Sequence, residues 1–234
     1  LAGIFQALSE TVIRNQITGL IDLGHEVEIF ALERGYTAKL HGDITKYDLL
    51  SRTHYPTRKG GEPLGSLKSL VLHSPGFLKR PSSLFKIYGA IKKGIPGMPF
   101  LFHCLPYFSK NYYDIIHCQF GPNGNIGAEM KELGITNAKL VTTFHGYDIR
   151  LGLSQGGDIY APLKEKGDLF LAISRYNRRQ LEEMGFEPAK IVDHPVGIDI
   201  EKFKYSASVP SRPGGEMRIV SIARLVREKG ADML

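Results

Sequence analysis

Apolar and polar positions alternate along this chain with two periods that take turns. Leu1 to Phe5 read as the tail of a strand. Val12, Ile13, Ile17, Leu20 and Ile21 then recur at helical spacing, in a helix that Ser9 can cap and that Gly24 can end in the left-handed position. Val27, Ile29 and Ala31 alternate as the next strand. The alternation returns later: a strand over 114–118, a helix over 125–133 and a buried strand over 139–144. A short helix around 161–165 leads to a strand over 168–173, Ser174 caps a helix ending near Gly185, and 190–194 closes as another strand. Repeated βα units with short connections predict a parallel sheet with helices on both faces, a doubly wound α/β domain.

After this domain the periodicity breaks. Residues 205–217 are rich in Ser, Pro and Gly, the composition of a linker, and 218–223 restart as an apolar strand before a helix over 229–234. The expected organisation is a Rossmann-like domain over 1–204, a linker over 205–217, and over 218–234 the first strand and helix of a truncated second domain. One βα turn cannot bury a core of its own, so the chain reads as a fragment of a longer two-domain protein.

Composition narrows the class. With 42% hydrophobic and 23% charged residues, and a mean hydropathy of −0.14, the chain can bury a core. The apolar stretch over 98–108 carries His103 and two prolines and is far shorter than the roughly 20 residues that cross a bilayer. Two cysteines, Cys104 and Cys118, suit a reducing cytoplasm. No signal peptide is visible, although the sequence starts at Leu1 and a missing N-terminus can hide one.

Charge adds a feature that the pattern does not show. The net charge is +6, yet residues 51–110 carry a local +9, from ten Lys or Arg against Glu62, and the remainder sums to −3. Within that segment Leu84, Ile87, Tyr88 and Ile91 fall at i, i+3, i+4 and i+7, with Arg80, Lys86, Lys92 and Lys93 beside or away from the stripe. Residues 82–95 describe a basic amphipathic helix. Its stripe either packs on the domain core or lies in the headgroup region of an anionic membrane.

Ligands of open parallel sheets bind beyond the carboxyl ends of the strands. Four such places draw attention. At Gln6 to Thr11 the helix start can face an anion, or Ser9 simply caps it while Glu10 favours the dipole. At 117–125 a strand end meets Gly121, Asn123 and Gly124, either a loop that lets a ligand approach or an ordinary βα turn. At Phe144-His145-Gly146-Tyr147-Asp148 a histidine leaves a buried strand. It can hydrogen-bond a substrate hydroxyl or leaving group, with Asp148 orienting a second hydroxyl, or it is a structural histidine satisfied by backbone. At Arg224 to Gly230, Arg224 and Lys229 can converge with helix-start amides on a diphosphate, or remain solvated surface charges. Neither GxGxxG nor GxxxxGK[ST] occurs, which weighs against dinucleotide oxidoreductases and P-loop NTPases. His103, Cys104, His117 and Cys118 lack zinc-ligand spacing.

Taken in order, Leu8-Ser9-Glu10-Thr11 with Asn15-Gln16-Ile17, Ile116-His117 through Phe120-Gly121-Pro122-Asn123-Gly124, and Thr143 through Asp148 resemble the bacterial GT-B glycosyltransferases of family four. Val196-Gly197-Ile198-Asp199 with Lys202-Phe203, and Arg224-Leu225 with Lys229-Gly230, match as well. The similarity is greatest to the exopolysaccharide enzymes of the colanic-acid type.

The resemblance implies a retaining transferase, without metal or other cofactor, that moves a sugar from a nucleotide sugar to an acceptor hydroxyl in cell-surface polysaccharide synthesis. The first domain binds the acceptor and the second the donor. His145 is expected near the reaction centre, Ser9, Glu10 and Thr11 on the acceptor and phosphate side, Asn123, Gly124 and Asp148 at the cleft, and Arg224 and Lys229 on the departing diphosphate. A glycan or lipid-linked sugar is the expected acceptor; no nucleic acid is expected. The expected place is the cytoplasm, peripheral to the inner face of the membrane. Gln119 stands where relatives often have a second histidine, and Gln6-Ala7 replaces a common proline. The family's paired donor glutamates are expected beyond Leu234, so 1–234 by itself is expected to be inactive. The rival from another class is a sugar- or lipid-binding module that kept the fold without turnover. A nucleotide-sugar epimerase or dehydrogenase would need the glycine-rich turn that is missing.

The basic segment yields a direct test. Each Lys or Arg near an anionic surface is worth roughly 1 kcal/mol, so the chain is expected to co-sediment with anionic vesicles in a salt-sensitive way. Lys86→Glu, Lys92→Glu and Lys93→Glu together should weaken this; equal binding to neutral and anionic vesicles at low salt would retire the membrane reading.

Overall fold

A computed structural model of the chain describes residues 2–5, 11–34, 41–55, 112–156, 158–198, 200, 201, 203–205, 220–222, 230 and 233. For residues 2–5 and Arg34 it describes the backbone only. The chain divides into two compact units, Leu1–Gly197 and Ile198–Leu234. The basic helix expected over 82–95, the linker over 206–217 and most of the strand and helix expected over 218–234 lie outside the described residues.

The first unit is α/β with parallel sheets. Strands β1 (Ala2–Phe5), β2 (Ile29–Arg34) and β3 (Thr53–His54) pair in that order. Strands β4 (Ile115–Gln119), β5 (Lys139–Phe144), β6 (Leu169–Ala172) and β7 (Ile191–Asp193) form the second run. Every pairing is parallel, with Ile29 opposite Thr53, Gln119 opposite Thr143 and Phe144 opposite Ala172. β1 lies beside β4, so the chain crosses from one run to the other there. That crossing is the topological switch point, beyond whose carboxyl ends open α/β sheets take their ligands.

Side-chain alternation explains the layers. On β2, Ile29 and Ala31 pack with Ile17 and Ile21 of helix α1 (Thr11–Asp22) and with Ile44 of helix α2 (Gly42–Lys46). Phe30 and Leu32, on the opposite face, join the main core. That core gathers the helices α3 (Gly121–Glu132), α4 (Tyr147–Ser154), α5 (Ala161–Lys166) and α6 (Arg175–Glu183). At its centre Phe144 meets Tyr160, Phe170 and Phe186 edge-on, with centroids 5.6, 6.4 and 5.2 Å away.

Several local expectations are met by identifiable bonds. Gly24 ends α1 at φ 86°, and the His25 amide reaches back to the Leu20 carbonyl at 3.1 Å. Ser174 caps α6 by accepting from the Asn177 amide at 3.1 Å. The cap expected at Ser9 lies outside the described residues.

Helix α3 differs from expectation: it begins at Gly121, four residues earlier than the apolar pattern suggests. Gly121, Gly124 and Gly127 form a stripe along it. A methyl group at Gly124 would sit 2.6 Å from Leu163 Cδ2 and 2.8 Å from Thr142 Oγ1, and one at Gly127 would sit 2.6 Å from Leu140 Cδ1. The glycines let the helix lie flush on β4 and β5, and an apolar periodicity does not reveal a face made of hydrogen atoms.

This close approach sets opposite signs for two similar substitutions. Gly127→Ala should destabilise the fold by about 1–3 kcal/mol through overpacking. Gly19→Ala, within α1 and with none of the described residues within 4 Å of the new methyl, should stabilise it by about 0.5–1 kcal/mol. Urea unfolding of the two variants checks both; a neutral Gly127→Ala would mean that α3 has room to shift.

Candidate active site

The carboxyl ends of β4 and β5 bring two turns together. β4 ends at Gln119, and the next residue, Phe120, stands at φ 72° and ψ 145°. A non-glycine residue in that region costs on the order of 1–3 kcal/mol and persists only where its surroundings hold it. Here the Phe120 amide donates to the Thr143 carbonyl at 2.9 Å, and the Phe120 carbonyl accepts from Gly124 at 3.1 Å. The strained turn places the Phe120 ring against His145, centroids 4.5 Å apart.

Asp148 holds the second turn. It is 0% exposed, and its carboxylate accepts from the amides of Gly146 at 3.0 Å, Ile149 at 3.1 Å, His145 at 3.0 Å and, across from α3, Gly121 at 3.0 Å. Burial raises its pKa above the ordinary carboxylate value, while the amide hydrogen bonds act in the opposite sense. Asp148 therefore lies beneath the surface as the pin of both turns, not at the lining of a cleft where it was expected. At the start of α4 the N–H groups of Gly146 and Ile149 are taken by this carboxylate.

Asn123 and Gly124 are also internal. Asn123 is 6% exposed and donates from Nδ2 to the Gln119 carbonyl at 2.6 Å; Gly124 is buried under Leu163 and Thr142. They shape the start of α3 rather than open a path for a ligand. Thr11 is exposed as the first residue of α1. Ser9, Glu10, Arg224 and Lys229 lie outside the described residues.

His145 is where the two turns converge. Its backbone is held from both sides, by Asp148 at the amide and by Asn177 Nδ2, which donates to its carbonyl at 2.9 Å and to that of Phe144 at 3.2 Å. Its ring is half-buried, and burial lowers its pKa below the ordinary histidine value. Nε2 lies 2.9 Å from Gln119 Oε1. Gln119 in turn donates from Nε2 to Gln16 Oε1 of α1 at 2.7 Å and lies 3.4 Å from His117 Nε2, which is 2.7 Å from Thr143 Oγ1. This five-residue polar circuit ties α1, β4 and β5 together at the switch point. Gln119 and Gln16 carried no chemical signal as isolated residues; a second polar residue, after His117, at the last position of β4 is the sign that could have found Gln119.

Of the four residues considered for zinc, His117 and Cys118 are successive residues of β4 and point to opposite faces. Cys118 is fully buried, its thiol pushed up to about 11 by burial. His103 and Cys104 lie outside the described residues. Among the described residues no cluster of metal-ligating side chains occurs, and no helix is long and apolar enough to cross a membrane.

His117 supplies a pH test. Burial, with the neighbouring His194 and His145 adding repulsion, lowers its imidazole to about 4 from the usual 6.5. The unfolded chain takes up this proton near the usual value and the folded chain refuses it, so the contribution is complete above that value and is lost as pH falls through about 4. By linkage the loss is roughly 3 kcal/mol. His117→Gln should remove it: wild type should lose about 3 kcal/mol more than the variant between about pH 7 and about pH 4 in urea titrations. Parallel losses would show a solvated ring.

Comparison with known proteins agrees with this arrangement. The sequence pattern of Glycosyltransferase Family 4 matches residues 9–202. The chain is 34% identical to WcaL of Salmonella typhimurium and to WcaL of Escherichia coli, both named for colanic acid biosynthesis as glycosyltransferases. It is 33% identical to the amylovoran biosynthesis glycosyltransferase AmsK of Erwinia amylovora. Each comparison covers 97% of this chain and 56% of the relative, so the chain spans little more than half the length of these proteins. No solved structure matches it. The family pattern spans strands β2 to β7 and both turns that meet at His145, and the chain belongs to glycosyltransferase family 4.

Proposed function

We propose that this chain forms the acceptor-side part of a retaining glycosyltransferase that uses a nucleotide sugar to extend a cell-surface polysaccharide. The family match over residues 9–202 carries this reading, and the relatives named for colanic acid and amylovoran biosynthesis supply the substrate class. The acceptor is a glycan or lipid-linked sugar. The fixed, half-buried His145 at the strand ends is suited to hydrogen-bonding a sugar hydroxyl near the reacting carbon.

In the proposed reaction an acceptor oxygen bonds to the anomeric carbon as the bond from that carbon to the nucleoside diphosphate breaks. The acceptor's proton passes to the departing phosphate oxygen, on the same face of the sugar, so no enzymic nucleophile is assigned. Arg224 and Lys229 neutralise the diphosphate, a role their fixed charges can fill without a metal. Transfer is proposed to need the remaining length that the relatives possess. Residues 1–234 by themselves are expected to show no turnover and weak nucleotide-sugar affinity.

The test is sugar transfer from labelled nucleotide sugars by an enzyme of the relatives' full length that carries this chain. Arg224→Ala and Lys229→Ala should each lower kcat by about 10²–10³, the loss typical of one fixed donor to developing charge. His145→Ala should lower turnover while melting stays within a few degrees. A large drop in Tm with activity per folded molecule intact would make His145 a structural residue, and wild-type rates in both cation variants would return those charges to solvent.

A further inference from the structure

The circuit around His145 has a direction, and the direction decides what His145 offers a ligand. An amide oxygen only accepts, so the hydrogen shared between Gln119 Oε1 and His145 Nε2 belongs to the histidine. The orientation of the Gln119 amide is set at its other end, where Nε2 donates to Gln16 Oε1 at 2.7 Å and faces His117 Nε2 at 3.4 Å. His117, its pKa held low by burial, can accept at this Nε2 as the Nδ1-protonated tautomer, with the Thr143 hydroxyl 2.7 Å from the same nitrogen. The backbone of Gln119 is fixed as well, its carbonyl accepting from Asn123. The ring of His145 is kept from turning by Phe120 on its face and by the bonds to its amide and carbonyl. Its Nδ1 makes no hydrogen bond among the described residues.

We infer that Gln119 is a positioning residue: its amide oxygen holds His145 as the Nε2-protonated tautomer, which leaves Nδ1 as a hydrogen-bond acceptor for a hydroxyl group. A lone pair at Nδ1 takes an O–H and repels an anionic phosphate oxygen. The histidine therefore discriminates for the sugar and against the diphosphate of a nucleotide-sugar substrate. The identity of the hydroxyl as a sugar's rests on the proposed function; the tautomer does not. Among the described residues the titratable groups near His145 are His117 on β4 and Asp148 on α4, and the Asp148 carboxylate is already occupied by backbone amides. An amide at position 119 thus sets the proton's place without adding charge.

The test reads the ring itself. Long-range proton–nitrogen correlation spectra of the ¹⁵N-labelled chain report each histidine's tautomer, and the His145 signals are assigned by their loss in His145→Ala. At neutral pH wild-type His145 is expected to show a protonated Nε2 and an unprotonated Nδ1. Gln119→Leu should remove the bias and average the two nitrogens. Gln119→Glu places a carboxylate against Nε2 and should raise the His145 pKa by about 1–3; where the ring takes up its second proton, Nδ1 becomes a donor. A wild-type ring protonated at Nδ1, or a tautomer and pKa unchanged by both substitutions, overturns the inference. The wild-type spectrum needs no variant to fold. It also decides the role of Gln119 even if the functional reading fails in the transfer assay.

Discussion

One buried carboxylate organises this site. Asp148 lies in the first turn of α4, and yet one of the amides it accepts belongs to Gly121 at the start of α3. A carboxylate removed from water is unfavourable by several kcal/mol unless its oxygens are satisfied. Here amides from two βα turns satisfy them, so the turns after β4 and β5 have one geometry that meets the demand. Hydrogen bonds to a charged group are worth about 1.5–3 kcal/mol each, and this set is shared between elements that the sequence separates by 27 residues. Tyr160 extends the tie by donating to the Asp148 carbonyl at 2.8 Å, which brings the segment before α5 into the same arrangement.

Close packing does the complementary work from below. The glycine face of α3 brings that helix into direct contact with side chains of β4 and β5. This makes the strained Phe120 sustainable. Its backbone conformation is unfavourable for an isolated residue, and the bonds from Thr143 and Gly124 on either side leave the chain nowhere else to go. The strain has an evident result, since it turns an aromatic ring onto His145 instead of into the core.

The strands and most helices were legible because apolar burial writes a period into the sequence, and Gly24 and Ser174 mark helix boundaries by mechanisms that act locally. What the sequence obscured has a common cause. Helix α4 has a polar residue near its start that points inward, the reverse of the usual surface cap, and therefore reads as a loop with a candidate ligand at Asp148. The start of α3 was hidden because glycine carries no apolar signal, so Gly121, Asn123 and Gly124 read as either a ligand-approach loop or an ordinary βα turn, and the structure shows them packed at the start of a helix. In both cases partners distant in sequence decide the role of the residue. His145 was legible as a place, at the end of a buried strand, while its partner Gln119 was visible only as a departure from a family habit.

The polar circuit at the switch point has a further logic. Gln119 is 6% exposed at the end of an apolar strand, where an unpaired amide would be costly. Its side chain is tolerated because both of its ends are used, and both are used only if Gln16, His117 and His145 each present the matching group. A circuit of this kind has few alternative arrangements, since reversing one amide would set donor against donor or acceptor against acceptor at the next junction. The protein thereby converts the ordinary requirement that buried polar groups be satisfied into a choice of tautomer at a partly exposed ring. Stability and chemical specificity are here consequences of the same hydrogen bonds, one of which joins Gln119 at the end of β4 to Gln16 of α1.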